Sequence, residues 1–523
     1  MPKPLYITTA IDYTNGAPHI GHAYEKVLAD VIARYHRLKG EKVFFLTGVD
    51  QHGQKVQQSA EKAGVAPQQF VDGTTAKFIA LWEKLEVHYD IWAATTDPLH
   101  KKCVQGMLQR LYDEKQVYKD KQEGYYSIRQ EQFLTDKERG PDGEFGPEWG
   151  EVEHRVEENY YFRLVQHKDW LLDYLRKNPD CVTPDFRQTE LINAVQKLGG
   201  DLCISRPKSR LSWGIELPFD PDYVNFVWFD ALTNYISFIG YDPAAKDFSA
   251  QPAAFREKWP ADLHIIGKDI LIPAHGIYWP IMLHALGFPD EQMPKFLVHG
   301  WWNVSGTKMS KSLGNVVDPD LLADKYGAEA LRYYLMSDMV IGYDADFLEY
   351  RIAERYNADL ANSLGNLLNR TLNMATRYSA GSLRRGNRSA TQDFFQMLVQ
   401  ACRDLAQDVG MSGTMDTVIK IATEANQLIE KTAPWKMMKE GHTRAVAEIL
   451  YDLVDRLRII AILISPVLPK AAHGIFDQLN WKMELNGKEE RFSLANAEWG
   501  RLPDGHIVGQ PVPLFPRIEQ TGD

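Results

Sequence analysis

The sequence predicts an α/β protein: a doubly wound parallel sheet, split by an insertion and followed by a helical domain. Three observations carry this. Near-continuous apolar runs at 5–11 (LYITTAI), 43–49 (VFFLTGV), 263–267 (LHIIG) and 296–300 (FLVHG) have the pattern of strands buried on both faces. Between the first two, Val27, Leu28, Val31, Ile32 and Tyr35 recur at helical spacing over 22–38, with Gly40 as the stop. After residue 350, Ile352, Tyr356, Leu360, Leu364, Leu367, Leu368 and Leu372 form one apolar helical stripe.

Taken in order, Asn15-Gly16 and Pro18 break the first strand before its helix. Strand, helix, strand and helix then alternate, as in a parallel sheet covered on both faces. Residues 118–225 change character: short segments rich in Gly, Pro, aromatics and charge (EGYYSIRQ, GPDGEFGPEWGEVEH, NYYFRL) predict a β-containing insertion. The parallel pattern resumes at 263, so a nucleotide-binding domain split by an insertion accounts for the order. Residues 381–393 (GSLRRGNRSATQD) predict a polar loop, and amphipathic segments run on to about 480. Asn486-Gly487 signals a hairpin turn, and PVPLFPRIE reads as an extended tail.

The 523 residues are 44% apolar and 25% charged, enough material for several cores. With 59 Lys plus Arg against 70 Asp plus Glu the formal charge is −11, which excludes a polybasic binder; any nucleic-acid contact must be a local basic surface. The four cysteines (Cys103, Cys181, Cys203, Cys402) form no CxxC pair, which argues against a disulfide framework or a zinc knuckle and fits a reducing compartment. The N-terminus shows no secretory pattern. The longest apolar stretch, 459–468, is interrupted by Ser465 and Pro466 and is too short to span a bilayer. A cytoplasmic protein is expected.

Two motifs carry chemistry. Pro18-His19-Ile20-Gly21-His22 places two imidazoles three residues apart where a strand meets its helix. The helix end offers N–H donors and partial positive charge to a phosphate chain, and Gly21 leaves room for a nucleotide. On its own, HxGH more readily describes a capped helix with two surface histidines. Lys308-Met309-Ser310-Lys311-Ser312 follows an apolar strand between Gly306 and Gly314. Its lysines supply point charges to phosphate oxygens; on its own it equally describes a solvated basic turn. Together, each just past a buried strand of one split domain, they resist the plainer readings.

HIGH with KMSKS resembles the signature of class I aminoacyl-tRNA synthetases, and the chain resembles their methionyl-tRNA synthetases over nearly its whole length. The further matches are Ala10-Ile11-Asp12-Tyr13, FLTGVDQHG (45–53), VWFDALTNY (227–235) and GKDILIPAHGIYWP (267–280). The resemblance implies a Rossmann-like catalytic domain in two halves (1–117 and 226–295), a connective insertion (118–225), a KMSKS and stem-contact region (296–350), a helical anticodon-binding domain (351–480) and a C-terminal hairpin or tail (481–523). It implies methionine activation by ATP to methionyl-adenylate and pyrophosphate, then transfer to tRNA(Met). His19, His22, Lys308 and Lys311 would stabilise the displacement, with Gly21, Gly267, Asp269 and Lys311 on ATP. Asp50 would take the amino group of methionine, and Ile11, Tyr13, Trp228, Ala231, Leu232, Tyr235 and His275 its side chain, since a thioether suits aromatic faces plus a weak donor. Trp279 is open between pocket and core, and Asp269 between ribose contact and N-cap. The chain has one residue more between Asp269 and His275 than the family pattern. Asn366 and Arg370, four apart on one helix face, and Pro434-Trp435 match positions that read the CAU anticodon.

Magnesium is expected to travel with ATP. With no cysteine between Gly124 and Tyr161, no structural zinc and no other protein metal site is expected. A monomer is expected, without membrane contact. The rival readings are a small-molecule adenylyltransferase sharing HxGH, a catalytically inert tRNA-binding relative, and a class I enzyme for another amino acid.

Overall fold

The computed structural model describes residues 3–519 apart from 129–131, 135, 141, 227, 310–313, 387–393, 395, 399, 402–410 and 482–492. Seven strands build the central sheet: β1 (Leu5–Thr9), β2 (Asp12–Tyr13), β3 (Val43–Asp50), β4 (Ile91–Ala94), β5 (Val182–Thr183), β6 (Leu263–Gly267) and β7 (Phe296–His299). They run in the order β4–β3–β1–β6–β7–β5, every pair parallel. β2 also pairs with β3, extending the line of β1. The expected single strand 5–11 is thus broken. Leu5 lies opposite Val43 but Asp12 opposite Val49, so one extra residue is taken up at Ala10-Ile11, as in a bulge.

Both faces are covered, which explains the unbroken apolar runs. Ile7, Phe45, Val49, Ile265 and Leu297 pack into one core with α1 (Ile20–Leu38). Their neighbours Tyr6, Leu46, Ile266 and Val298 pack into a second core with α2 (Trp228–Ser237). α1 starts two residues earlier than its apolar pattern, with His19 as N-cap, and ends at Leu38 before Gly40 at φ 85°.

The insertion is an antiparallel ribbon, Val117–Ser127 against Val152–Phe162, flanked by Gln132–Leu134 and Leu202–Cys203. Near its tip the Arg139 guanidinium lies 4.7 Å from the Tyr125 ring and 4.3 Å from Phe145 and donates to the Gly143 carbonyl. Among the described residues, no group of three His, Cys, Asp or Glu side chains is placed to hold a metal. The range 118–225 is not a unit apart from the sheet. Lys168–Lys177, β5 and Asp185–Gln196 lie within it, and Leu171, Leu175, Val182 and Leu191 join the core of Ile266 and Val298. β5 pairs with the outer side of β7, which would otherwise expose unpaired backbone.

A helical run over Tyr350–Arg355 and the wide turns of Tyr356–Gly365 leads into α3 (Asn366–Ser379); α4 (Met411–Thr432) and α5 (Thr443–Ile464) pack beside it. The stripe from Ile352 to Leu372 is buried as its spacing predicts, and the apolar run 459–468 is core. Among the described residues no helix is long and apolar enough to cross a membrane. Cys103, Cys181 and Cys203 are free thiols; Cys402 and the Asn486-Gly487 turn lie outside the described residues. The tail docks on this domain: Asn357 exchanges two hydrogen bonds with the Ile518 backbone at 2.8 and 2.9 Å, and Phe515 packs against Gly365.

One buried arginine ties the halves together. Arg332, with no exposed surface, donates to Asp30 of α1 and to the carbonyls of Leu85, Pro466 and Val467, all at 2.8–2.9 Å. Removing one partner of a buried ion pair costs about 3–5 kcal/mol. Arg332→Met is therefore expected to lower the unfolding free energy measured by denaturant titration by that amount, while the exposed pair partner Lys177→Met leaves it nearly unchanged.

Candidate active site

β1 and β6 are neighbours whose following segments leave in opposite directions, so their carboxyl ends frame the crevice where open α/β sheets hold ligands. A cavity of about 800 Å³ opens there. Every expected catalytic, nucleotide and amino-acid residue among the described ones lines it: Ile11, Tyr13, His19, Gly21, His22, Asp50, Trp228, Ala231, Leu232, Tyr235, Gly267, Asp269, His275 and Lys308. Lys311 lies outside the described residues.

The two histidines cap α1 by an unusual reciprocal box. Gly21 N–H donates to His19 Nδ1, and His19 N–H donates to His22 Nδ1, both at 3.1 Å. Each Nδ1 is an acceptor, so each neutral ring carries its proton on Nε2. The rings stack with centroids 3.7 Å apart. A Cβ on Gly21 would sit 3.0 Å from the His19 ring, so glycine is what lets that ring fold back over the helix end. The two rings thus cap α1, as the plainer reading has it, and both line the cavity at the helix end.

The far wall is Gly267, Asp269 and Lys308. A Cβ on Gly267 would come within 2.8 Å of Asp269 Oδ1, and His299 flanks the same gap. Asp269 does not cap the short helix at 268–270; its Oδ2 accepts from Lys308 Nζ at 3.2 Å. Burial pushes this carboxyl up, but Lys308 and Trp301 outweigh burial and hold it low. Lys308 also lies 3.8 Å from the Trp301 ring centroid, opposite Lys268 at 4.1 Å.

The inner chamber is lined by aromatic rings, among them Trp228, Tyr235 and His275. Tyr235 O–H donates to His275 Nε2 at 2.8 Å, and His275 Nδ1–H donates to the Ile270 carbonyl at 2.9 Å, which fixes the tautomer. Burial lowers the His275 pKa to about 4, so the ring stays neutral. The segment that carries His275, Leu271–Tyr278, is a widened helical turn with Ile272 in extended geometry. Trp279 is core: it donates to His264 Nε2 at 3.1 Å and does not line the cavity.

Asp50, at the end of β3, is 6% exposed and accepts only long contacts on its carboxylate, from His52 N–H at 3.3 Å and Thr95 Oγ1 at 3.5 Å. Burial, then the nearby Asp230 charge, raises its pKa well above the carboxylate range. Asp230 has the opposite fate. Burial pushes it up, but His52 and His100, each at 2.7 Å, bring it down to about 2.

Sequence reasoning did not assign roles to His52, His100, Glu25, Lys26 or His299. His52 and Asp230 sit inside quoted motifs and could have been flagged; His100 and Lys26 carry no local signal. It also missed that the insertion lends Gln122, Tyr161, Cys203 and Arg206 to the cavity rim. In the helical domain, Asn366 and Arg370 lie on the surface of α3. They reach Asn426 at 3.4 Å and Glu430 at 2.6 Å on α4, which leads to buried Pro434 and half-buried Trp435.

A family described as tRNA synthetases class I (M) matches residues 5–142 and 149–372, and one described as the anticodon binding domain of methionyl tRNA ligase matches 379–522. The methionine–tRNA ligase of Caldanaerobacter subterraneus is 40% identical over 528 residues, covering 99% of this chain and 80% of that one. That of Thermosynechococcus vestitus is 39% identical, covering 98% and 97%. The Mycobacterium tuberculosis methionyl-tRNA synthetase in complex with methionyl-adenylate superposes with a TM-score of 0.88 at 36% identity, covering 98% of this chain and 100% of that one.

Proposed function

The chain belongs to the methionyl-tRNA synthetases of class I, and from that premise we propose that the cavity at the ends of β1 and β6 is where it joins methionine to ATP. It is a methionine–tRNA ligase: it forms methionyl-adenylate and pyrophosphate, then charges tRNA(Met). The observation that carries the site assignment is the convergence, in one cavity, of the Asp50 carboxyl with its long contacts, an aromatic chamber around a neutral His275 and a cluster of phosphate donors.

In this reading Asp50 takes the α-ammonium group, and Ile11, Tyr13, Trp228, Ala231, Leu232, Tyr235 and His275 enclose the thioether chain. The fixed Tyr235–His275 bond presents a neutral polar edge to sulfur. Gly267 and Asp269 take the ribose of ATP. The methionine carboxylate attacks the α-phosphorus; the bond to pyrophosphate breaks, and negative charge grows on the phosphate oxygens. His19 and His22 meet it with Nε2–H donors at the helix end, and Lys308 with its ammonium group; Lys311 joins them from its motif position. No covalent enzyme intermediate is needed, so catalysis is positioning and electrostatic stabilisation. Magnesium arrives as part of the ATP substrate, bound through phosphate oxygens. Asn366, Arg370, Pro434 and Trp435 meet the CAU anticodon. The enzyme works as a monomer, its site built within one chain, in the cytoplasm where translation consumes its product.

Amino-acid-dependent ATP–pyrophosphate exchange without tRNA tests this directly. Exchange is expected with methionine alone among the standard amino acids, and His19→Ala is expected to slow it roughly 10²–10³-fold with little change in methionine KM. Exchange with leucine or isoleucine instead would discard the pocket assignment. Because Asp50 must ionise to hold an ammonium group and its pKa is raised, methionine KM is expected to fall as pH rises through that ionisation. In Asp50→Asn it is expected to be high and flat with pH. Trp435→Ala is expected to cost aminoacylation about 1–3 kcal/mol, roughly 5–150-fold, the worth of one stacked base, while exchange stays at the wild-type rate. Equal loss of both would remove Trp435 from anticodon reading.

A further inference from the structure

Beneath the cavity lies a charged chain that none of the residue assignments above uses. Lys26, on the second turn of α1, has no exposed surface. Its ammonium group spends its three donors on Asp12 Oδ1 at 2.7 Å, Glu25 Oε1 at 2.8 Å and the Ala10 carbonyl at 2.8 Å. Glu25 passes its other oxygen to His299 Nε2 at 3.1 Å, and His299 Nδ1 bonds the Gly300 carbonyl at 2.7 Å. Both imidazole nitrogens thus face oxygen atoms. The chain Asp12, Lys26, Glu25, His299 runs from beside Ile11 and Tyr13 to the Gly267 wall. Glu25 and His299 themselves line the cavity, and His299 flanks the gap at Gly267.

Three of these four groups are fully hydrogen-bonded, and one is not. Asp12 is 4% exposed, yet its Oδ2 has no partner. One lysine cannot neutralise two buried carboxylates. Glu25, with His299 as a second partner, is held low despite its burial, whereas burial lifts Asp12 to about 7. A packed apolar pair would be easier to bury here than an ion pair, so the chain's purpose is sought in what it orients.

We propose that Lys26 is a positioning residue for ATP: anchored by Asp12 and the Ala10 carbonyl, it fixes the Glu25–His299 pair against the Gly267–Asp269 wall. Lys26 touches no substrate. This rests on the reading of that wall as the nucleotide side, and the experiment separates the two.

The test uses the full chain and the exchange assay. Lys26→Met alone strands the buried Asp12, leaves Glu25 with His299 only, and is expected to destabilise the fold. The double variant Lys26→Met with Asp12→Asn removes the charge pair together and is expected to recover most of the melting temperature. If Lys26 only balances charge, ATP kinetics recover with it. If Lys26 positions Glu25, KM for ATP stays at least tenfold raised while KM for methionine moves less than threefold, and Lys26→Arg recovers part of the loss. Should the double variant not fold, Lys26→Arg and Asp12→Asn singly, with the same KM split, carry the test. Wild-type KM for ATP in the folded variants overturns the proposal. Asp269→Asn is the control: if it too leaves KM for ATP unchanged, the wall assignment fails; if it raises KM and the Lys26 variants do not, only the Lys26 inference fails.

Discussion

The structure hangs on a helix that has no outside. α1 is buried along nearly all of its 19 residues, including Glu25, Lys26, Asp30 and Arg34. A surface helix would turn such residues to water. Here each charge must find a partner in the protein or leave a solvation cost of several kcal/mol, and the partners come from every other part of the chain. Lys26 reaches Asp12 and Ala10 beyond β1; Glu25 reaches His299 at the end of β7; Asp30 takes Arg34, the His88 backbone and Arg332 from the segment that leads to the helical domain. The helix that presents His19 and His22 is therefore pinned from four directions. Enzymes that work by positioning need that rigidity, because a misplacement of about 1 Å can cost 10²-fold.

The site divides its charge with the same economy. Asp50 and Asp230 lie side by side in the interior, and their environments push their ionisation apart. Two imidazoles keep Asp230 ionised, while Asp50 is left short of partners. That asymmetry is what the proposed role of Asp50 as the receptor of the substrate ammonium group draws on. On the nucleotide side, Lys308 rests between the face of Trp301 and the Asp269 carboxylate. It is a cation kept at the rim by contacts that a phosphate chain and a ribose can replace.

The sequence made the sheet legible because parallel strands buried on both faces leave unbroken apolar runs, and the bundle legible because Ile352 to Leu372 keep a helical period. HIGH and KMSKS were readable because their chemistry is local: two imidazoles and a glycine at one helix start, lysines on one glycine-bounded loop. The insertion was read as a β module, yet β5 and its two neighbouring helices belong to the main core. Two-residue strands leave too short a pattern to detect, and an edge partner is chosen by geometry rather than by period. Trp279 was open between pocket and core because an aromatic residue in a helix looks alike in both.

What the residues determined alone were the classes of element, the family resemblance and the set of residues that the fold gathers around one cavity, since these are encoded in periodicity and short spacings. What only the tertiary structure decided were the long-range partnerships: His100 with Asp230 across 130 residues, Glu25 with His299 across 274, Arg332 with Asp30 across 302, and the docking of the tail on Asn357. A buried charge specifies that it must be paired but not with whom. Only the packing of the sheet and its helices brings the candidates within hydrogen-bonding reach.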